Sequence, residues 1–160
     1  MDGWQSFFSA EVGGSAALLG LLFVSISINL AKISAHRSLP NRAFAALLVL
    51  LVVLIVSSLM LAPAQPTKLL GAEILVVGLI AWAIILHIDL AAWRNTEDQY
   101  RRRLIALIVI DQTALLLYAA GGACIIAIGA DGAYFLLPAI MLSFIKATLD
   151  AWVLLVEINR

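Results

Sequence analysis

Long apolar stretches occupy nearly all of this chain and limit what it can fold into. In its 160 residues, five stretches cover approximately 4–31, 43–62, 69–93, 104–128 and 133–158. A helix needs about 20 mainly apolar residues to cross the roughly 30 Å hydrocarbon core of a bilayer. Within lipid, only helices and closed barrels satisfy all of their backbone polar groups. The sequence therefore predicts an all-α, polytopic membrane protein, a bundle of five transmembrane helices forming one domain over residues 1–160.

Composition and motifs limit the possible functions. The chain is 64% hydrophobic and 12% charged, whereas a soluble domain is about half apolar and a quarter charged. The short connections leave no room for a soluble catalytic or nucleic-acid-binding domain, and nucleophile elbows, phosphate loops and HExxH motifs are absent from the sequence. With His36, His87 and Cys124 as its only histidines and cysteine, the sequence offers no convincing metal or haem pair. We expect neither an enzyme nor a cofactor nor a nucleic-acid partner.

The basic residues predict the orientation in the membrane, because cytoplasmic loops retain Lys and Arg. On one side of the predicted bundle fall Lys32, Arg37, Arg42, Arg94, Arg101, Arg102, Arg103 and Arg160, and on the other falls Lys68. This asymmetry predicts the N-terminus outside and the C-terminus inside, with the connections at 63–68 and 129–132 facing out. An odd number of spans is required for that result, which agrees with five.

Three ionisable residues lie inside the last two apolar stretches. Lys146 and Asp150 are four residues apart in the final stretch, and Asp111 lies in the stretch before it. Both acids fall about 12 Å from the inner boundary at 1.5 Å per residue. We expect Lys146 to lie between the two carboxylates, shielded from lipid. One negative charge would then remain uncompensated, which favours binding of a cation or a proton.

Further polar groups extend this series through the membrane. Glu11 lies on one face of the first helix, and Glu73 and His87 share a face of the third, being fourteen residues apart. Asp89 lies off that face, and we expect it to meet water or a loop arginine. The predicted pathway is therefore Glu11, Glu73, His87, Asp111, Lys146 and Asp150. The alternative is a buried ion-pair network that only fixes how the helices pack.

Small residues predict where helices approach one another. One face of the first helix carries Gly13, Ala17, Gly20 and Ser27, and small residues at such spacing allow close helix packing. Because its opposite face is polar at both ends, we expect the first helix to be central and packed on two sides.

Two expectations concern the other helices. The second helix, 43–62, has almost no polar groups beyond Ser57 and Ser58, so we expect it to face lipid or a neighbouring subunit. Pro138 lies inside the predicted fifth helix and cannot donate a backbone hydrogen bond, so we expect a hinge near it.

The first stretch resembles a known group of proteins. Phe7-Phe8, Gly13-Gly14 and the run 20–29 are similar to the first helix of small, uncharacterised bacterial multi-pass membrane proteins. The resemblance covers the first span only and implies no activity. It implies a bacterial cytoplasmic membrane as the location.

These observations lead to two functional hypotheses. The first is a channel or transporter that passes protons or small cations along the intramembrane carboxylates, acting as a homo-oligomer because five short helices hardly enclose a wide pore. The second is a non-conducting membrane protein that binds or modulates another membrane complex through helix packing. The first requires that the ionisable groups turn toward one shared interior.

Overall fold

The fold is entirely helical over the part of the chain that the structure describes. This computed structural model describes residues 4–35, 39–94 and 101–158, so His36, Arg37 and Arg160 lie outside it. The helices are α1 (Gln5–Ile28), α2 (Leu30–Ala35), α3 (Leu39–Met60), α4 (Thr67–Arg94), α5 (Arg101–Ile128), a 3-10 helix (Gly129–Phe135) and α6 (Leu136–Ile158). No strand occurs in these ranges. The predicted all-α class is confirmed.

The described residues contain four helical stretches that are long and apolar enough to cross a membrane. They are Gln5–Ile28, Leu39–Met60, Thr67–Arg94 and the 51-residue stretch Leu104–Leu154. The last comprises most of α5, the 3-10 helix and most of α6. It folds back on itself, because Tyr118 of α5 contacts Ser143 of α6 while Asp111, earlier in α5, contacts Lys146, later in α6.

Four helices form a closed ring, and α1 packs against its outside. Helices α3, α4, α5 and α6 contact one another in that cyclic order, whereas α1 packs mainly against α3. In the most apolar part of α3 half of the residues are buried, compared with 11% in α1. The expectation of a central first helix is therefore wrong. The second predicted helix, expected to face lipid or a neighbouring subunit, is the most buried of the four stretches, although half of it is not buried. The physical reason is that the interior of a membrane protein is as apolar as lipid, so a lack of polar groups does not distinguish them.

Glycines allow a close approach between the backbones of α4 and α5. A Cβ atom added to Gly122 would lie 2.5 Å from the Leu75 backbone nitrogen, and one added to Gly71 would lie 2.8 Å from the Gly122 carbonyl oxygen. By contrast, Gly13 and Gly20 have no such atom within 4 Å. Ala17 and Ser27 are also exposed. The predicted small-residue face of α1 is thus not a packing face within this chain.

The 3-10 helix, rather than Pro138, makes the change of direction between α5 and α6. Gly129 adopts a φ of +79°, a left-handed conformation that a residue without a Cβ adopts readily. Because α6 begins at Leu136, Pro138 is its third residue, where a backbone N–H has no partner within the helix. The predicted mid-helix hinge at Pro138 is therefore wrong, because the helix starts three residues later than expected.

The glycine contacts predict a difference between two single-methyl substitutions. Gly122→Ala should destabilise the protein by about 1–3 kcal/mol, because the added methyl group meets the α4 backbone and overpacks the contact. Gly20→Ala is the matched control, because its methyl group enters open space. Thermal unfolding in detergent, followed by circular dichroism, measures both. Equal stability of the two variants would contradict the close α4–α5 contact.

Candidate functional site

Lys146 lies between Asp111 and Asp150 inside the helix ring. Its ammonium group donates to Asp150 Oδ2 at 2.8 Å and also to Asp111 Oδ2. Lys146 is only 4% exposed, Asp111 3% and Asp150 1%. This arrangement agrees with the expected geometry, in which a flexible lysine stem four residues before Asp150 reaches carboxylates on two helices. Their role in a pathway stays a prediction.

Arg42 is a second cation at this site, and the sequence analysis assigned it to a loop. Its guanidinium nitrogen lies 3.4 Å from Asp150 Oδ1, and its side chain is 29% exposed. Helix α3 begins at Leu39, earlier than the predicted boundary at residue 43. The earlier start is possible because Pro40 falls in the first turn, where a missing N–H interrupts no helical hydrogen bond. Arg42 is therefore a helical residue directed into the bundle.

Asp89, rather than His87, connects α4 to the site. Its Oδ2 accepts a hydrogen bond of 2.8 Å from Gln112 Nε2, and it interacts electrostatically with Lys146 and Asp150. His87 is exposed. The expectation that Asp89 meets water or a loop arginine therefore missed its main partner.

The buried face of α4, which the structure reveals, leads to Asp89. Its buried residues are Leu70, Gly71, Ile74, Gly78, Ala81 and Ile85. From Gly71 onward they are three or four positions apart, so the series continues at 88 or 89. The pair Glu73 and His87 defined a different face, which the structure leaves less buried.

These contacts define a charge cluster, to which every helix of the ring contributes. Its members are Arg42 from α3, Asp89 from α4, Asp111 and Gln112 from α5, and Lys146 and Asp150 from α6. With all groups ionised, three carboxylates face two cations, so one negative charge is in excess. The predicted excess thus persists with different members: Arg42 balances one carboxylate and Asp89 adds another.

One oxygen of the cluster lacks a partner. Asp111 Oδ1 is buried and has no hydrogen-bond donor, while Oδ2 of the same carboxylate accepts from Lys146. A buried polar atom without a partner carries its full desolvation penalty, which is larger for a charged group than for a neutral one. Asp111 is therefore the least satisfied carboxylate among the deeply buried groups of the cluster.

Tyr118 and Ser143 form a neutral pair one helical turn from Lys146. Their hydroxyl oxygens are 3.1 Å apart, and both residues are fully buried. Because Ser143 donates its own proton to the Ala139 carbonyl oxygen at 2.8 Å, Tyr118 is the donor to Ser143. Glu11 of α1 lies within electrostatic range of Tyr118, although no hydrogen bond is described between them. The polar groups thus extend from Glu11 through this pair toward the charge cluster.

Glu73 lies away from the cluster. It accepts a hydrogen bond from Gln65 Nε2 and borders an open apolar groove beside Ile55 and Leu59. Sixteen residues of α4 separate it from Asp89, a distance of about 24 Å along the helix. The structure therefore brings Asp111, Lys146 and Asp150 together, places Glu11 near Tyr118, and leaves Glu73 and His87 outside the site.

The geometry of the carboxylates is not that of a metal site. Within the described ranges, no group of three His, Cys, Asp or Glu side chains is placed to hold a metal ion. The Lys146 ammonium group occupies the space between Asp111 and Asp150 that a cation would need.

Comparison with known proteins adds no family to these observations. No protein-family model matches the chain, and no match was found among curated proteins or solved structures. The charge cluster and the fold that surrounds it are therefore the features that bear on function.

Replacing Lys146 tests whether the cluster depends on it. Lys146→Met leaves three carboxylates with Arg42 alone and should destabilise the protein by about 3–5 kcal/mol, because buried charges lose their partner. Lys68→Met, at an exposed position of α4, is the matched control and should have little effect. Denaturant titration in mixed micelles measures both.

A second substitution separates charge from packing. Adding Asp150→Asn to Lys146→Met removes one uncompensated charge, because Asp150 is the other carboxylate that Lys146 contacts, and should recover part of the lost stability. If the double variant is no more stable than Lys146→Met alone, lost packing rather than unpaired charge explains the defect.

Proposed function

We propose that the chain crosses the membrane five times, with the N-terminus outside and the C-terminus inside. The stretch Leu104–Leu154 would be about 76 Å long as one straight helix, more than twice the hydrocarbon thickness. Its contacts are those of an antiparallel pair, which supports counting α5 and α6 as separate spans. The excess of Lys and Arg on one side supports the orientation. We further propose that this membrane is a bacterial cytoplasmic membrane.

Labelling of single cysteines tests this arrangement. In a Cys124→Ser background, Ala64→Cys and Ala130→Cys should react with a membrane-impermeant maleimide added outside intact cells, while Ala35→Cys should react only after permeabilisation. All three positions are exposed. If Leu104–Leu154 crossed only once, Ala130→Cys would lie within the bilayer and stay unlabelled from both sides. That result would refute the five-span arrangement.

We propose that the protein moves protons across this membrane. The observation that carries the proposal is the charge cluster, in which all four ring helices contribute polar groups and the formal charge is one negative unit in excess. Ionisable groups inside a membrane protein are costly and mark ion or proton pathways. The neutral Tyr118–Ser143 pair extends the polar groups toward Glu11 on the opposite half of the bundle.

A proton fits this site better than a small cation. Lys146, Asp111 and Asp150 are in direct contact and almost fully buried, so a hydrated ion has no room between them. A proton needs no wide pore, since it can pass between side chains through hydrogen bonds. One helical turn separates Ser143 from Lys146, which a water molecule or movement of the lysine side chain must bridge. The ring encloses the cluster within one chain, so the homo-oligomer stays a separate prediction.

The alternative is a non-conducting protein that binds or modulates another membrane complex. Two observations favour it. The members of the cluster make the direct contacts expected of a network that fixes helix packing. The small-residue face of α1 has open space at Gly13 and Gly20, where a helix of another membrane protein could approach closely.

Proton flux into liposomes separates the two functions. Purified protein in liposomes with a potassium diffusion potential should acidify the interior faster than protein-free liposomes, as reported by an enclosed pH-sensitive dye. Asp111→Asn and Asp150→Asn should lower this flux to background, because each removes a carboxylate of the pathway. Asp131→Asn is the matched control, since Asp131 is an exposed acid in the 3-10 helix.

The outcome decides between the hypotheses when the variants are folded. Circular dichroism and gel filtration of each variant establish that state before the flux is measured. Background flux in the parent protein, or equal flux in the parent and both cluster variants, would reject proton movement and favour the alternative.

A further inference from the structure

The three carboxylates of the charge cluster have different surroundings, and the difference indicates which of them binds a proton. We propose that Asp111 holds one exchangeable proton at neutral pH, on Oδ1, while Asp89 and Asp150 stay ionised. This proposal deepens the proposed function by naming its proton-binding residue. It requires binding only, so it can be tested without transport.

Charge balance provides the first step. Asp89, Asp111 and Asp150 carry three negative charges when ionised, and Arg42 and Lys146 carry two positive charges. An uncompensated charge inside a low-dielectric bundle is costly, and a carboxyl group avoids that cost by binding a proton. One proton on the cluster makes its net charge zero.

Asp150 is the carboxylate with the most cationic partners. Its Oδ2 accepts from Lys146 at 2.8 Å, and its Oδ1 lies 3.4 Å from the Arg42 guanidinium group. Both oxygens therefore face a positive charge, which favours the ionised form. A proton on Asp150 would weaken two ion pairs at once.

Asp89 has less cationic support than Asp150 and is less buried than either Asp111 or Asp150. Its carboxylate accepts a hydrogen bond from the neutral Gln112 side chain, and the residue is only partly buried. It lies five residues before the end of α4 at Arg94, about 8 Å along the helix. Because it is less buried and lies near a helix end, desolvation disfavours the charged form of Asp89 less than that of Asp111.

Asp111 combines deep burial with an unsatisfied oxygen. It is 3% exposed, its Oδ2 accepts from Lys146, and its Oδ1 has no donor. As a protonated acid, Asp111 keeps the bond to Lys146 through Oδ2 and carries the proton on Oδ1. The remaining charges then balance, with Lys146 and Arg42 facing Asp150 and Asp89.

Among the described residues, Glu73, His87 and Glu11 of the neighbouring helices do not change this balance. On α4, Glu73 is held by Gln65 far from the cluster, and His87 is exposed. On α1, Glu11 interacts with Tyr118. The groups that interact with Asp111 are therefore Asp89 of α4 and Lys146 and Asp150 of α6, and Arg42 of α3 lies against Asp150.

Carbon-13 NMR of the aspartate carboxyl groups tests the proposal directly. The full chain is labelled at its aspartate carboxyl carbons, reconstituted in nanodiscs and titrated with acid and base. Each resonance is assigned by its loss in the corresponding Asp→Asn variant. At neutral pH the Asp111 resonance should have the shift of a carboxylic acid, while Asp150 and the exposed reference Asp131 should have that of a carboxylate.

The result that overturns the proposal is an Asp111 resonance at the carboxylate position at neutral pH. If Asp111→Asn does not fold, assignment of the remaining aspartates leaves the Asp111 signal by elimination. Arg42→Gln gives a second readout. It removes a cation, so the Asp111 resonance should keep its acid shift to a higher pH than in the parent, and an unchanged titration would contradict the coupling.

The NMR titration and the flux assay test different claims, so a negative result in one does not decide the other. If Asp111 is protonated but the protein shows no flux, the proton-binding site is supported and proton transport is rejected. If the protein shows flux but Asp111 is ionised at neutral pH, proton transport is supported and the assignment of the proton to Asp111 is rejected.

Discussion

The buried ammonium group of Lys146 sets the main constraint on this structure. An ionised side chain surrounded by hydrocarbon is costly, and its partners must come from the protein because lipid supplies none. Lys146 meets Asp150 one turn further along α6 and Asp111 on the facing α5. Asp150 in turn faces Arg42 of α3. These contacts among charged groups therefore constrain how α3, α5 and α6 are rotated about their own axes.

A second set of contacts, at the other end of the α4–α5 pair, determines how Asp89 joins this arrangement. Gly71 and Gly122 bring the two backbones close together at a point far from the charge cluster. The same buried face of α4 continues through Gly78 and Ile85 to Asp89, which then meets Gln112 beside Asp111. Glycine packing and the charge cluster thus support the same helix orientation. Lys146, Asp111 and Asp150 are buried and in direct contact, which suits a proton better than a hydrated ion.

Part of the candidate site could be predicted from residue spacing alone. The spacing of Lys146 and Asp150 on one helix, and the matching depth of Asp111 on the next, are local properties of an α-helix. Arg42 and Asp89 could not be placed in the same way. Arg42 depended on a helix start only a few residues earlier than expected, and Asp89 depended on which face of α4 is buried.

The sequence by itself determined the all-α class, the apolar stretches and the trio of ionisable residues, because helix formation and membrane compatibility follow from local composition and periodicity. Only the tertiary structure decided that α3 is central, that α1 lies at the edge and that Arg42 and Asp89 complete the cluster. Which helices pack against each other depends on residues far apart in the sequence. Because a bundle interior and lipid are equally apolar, the composition of a helix such as α3 does not reveal which of the two surrounds it.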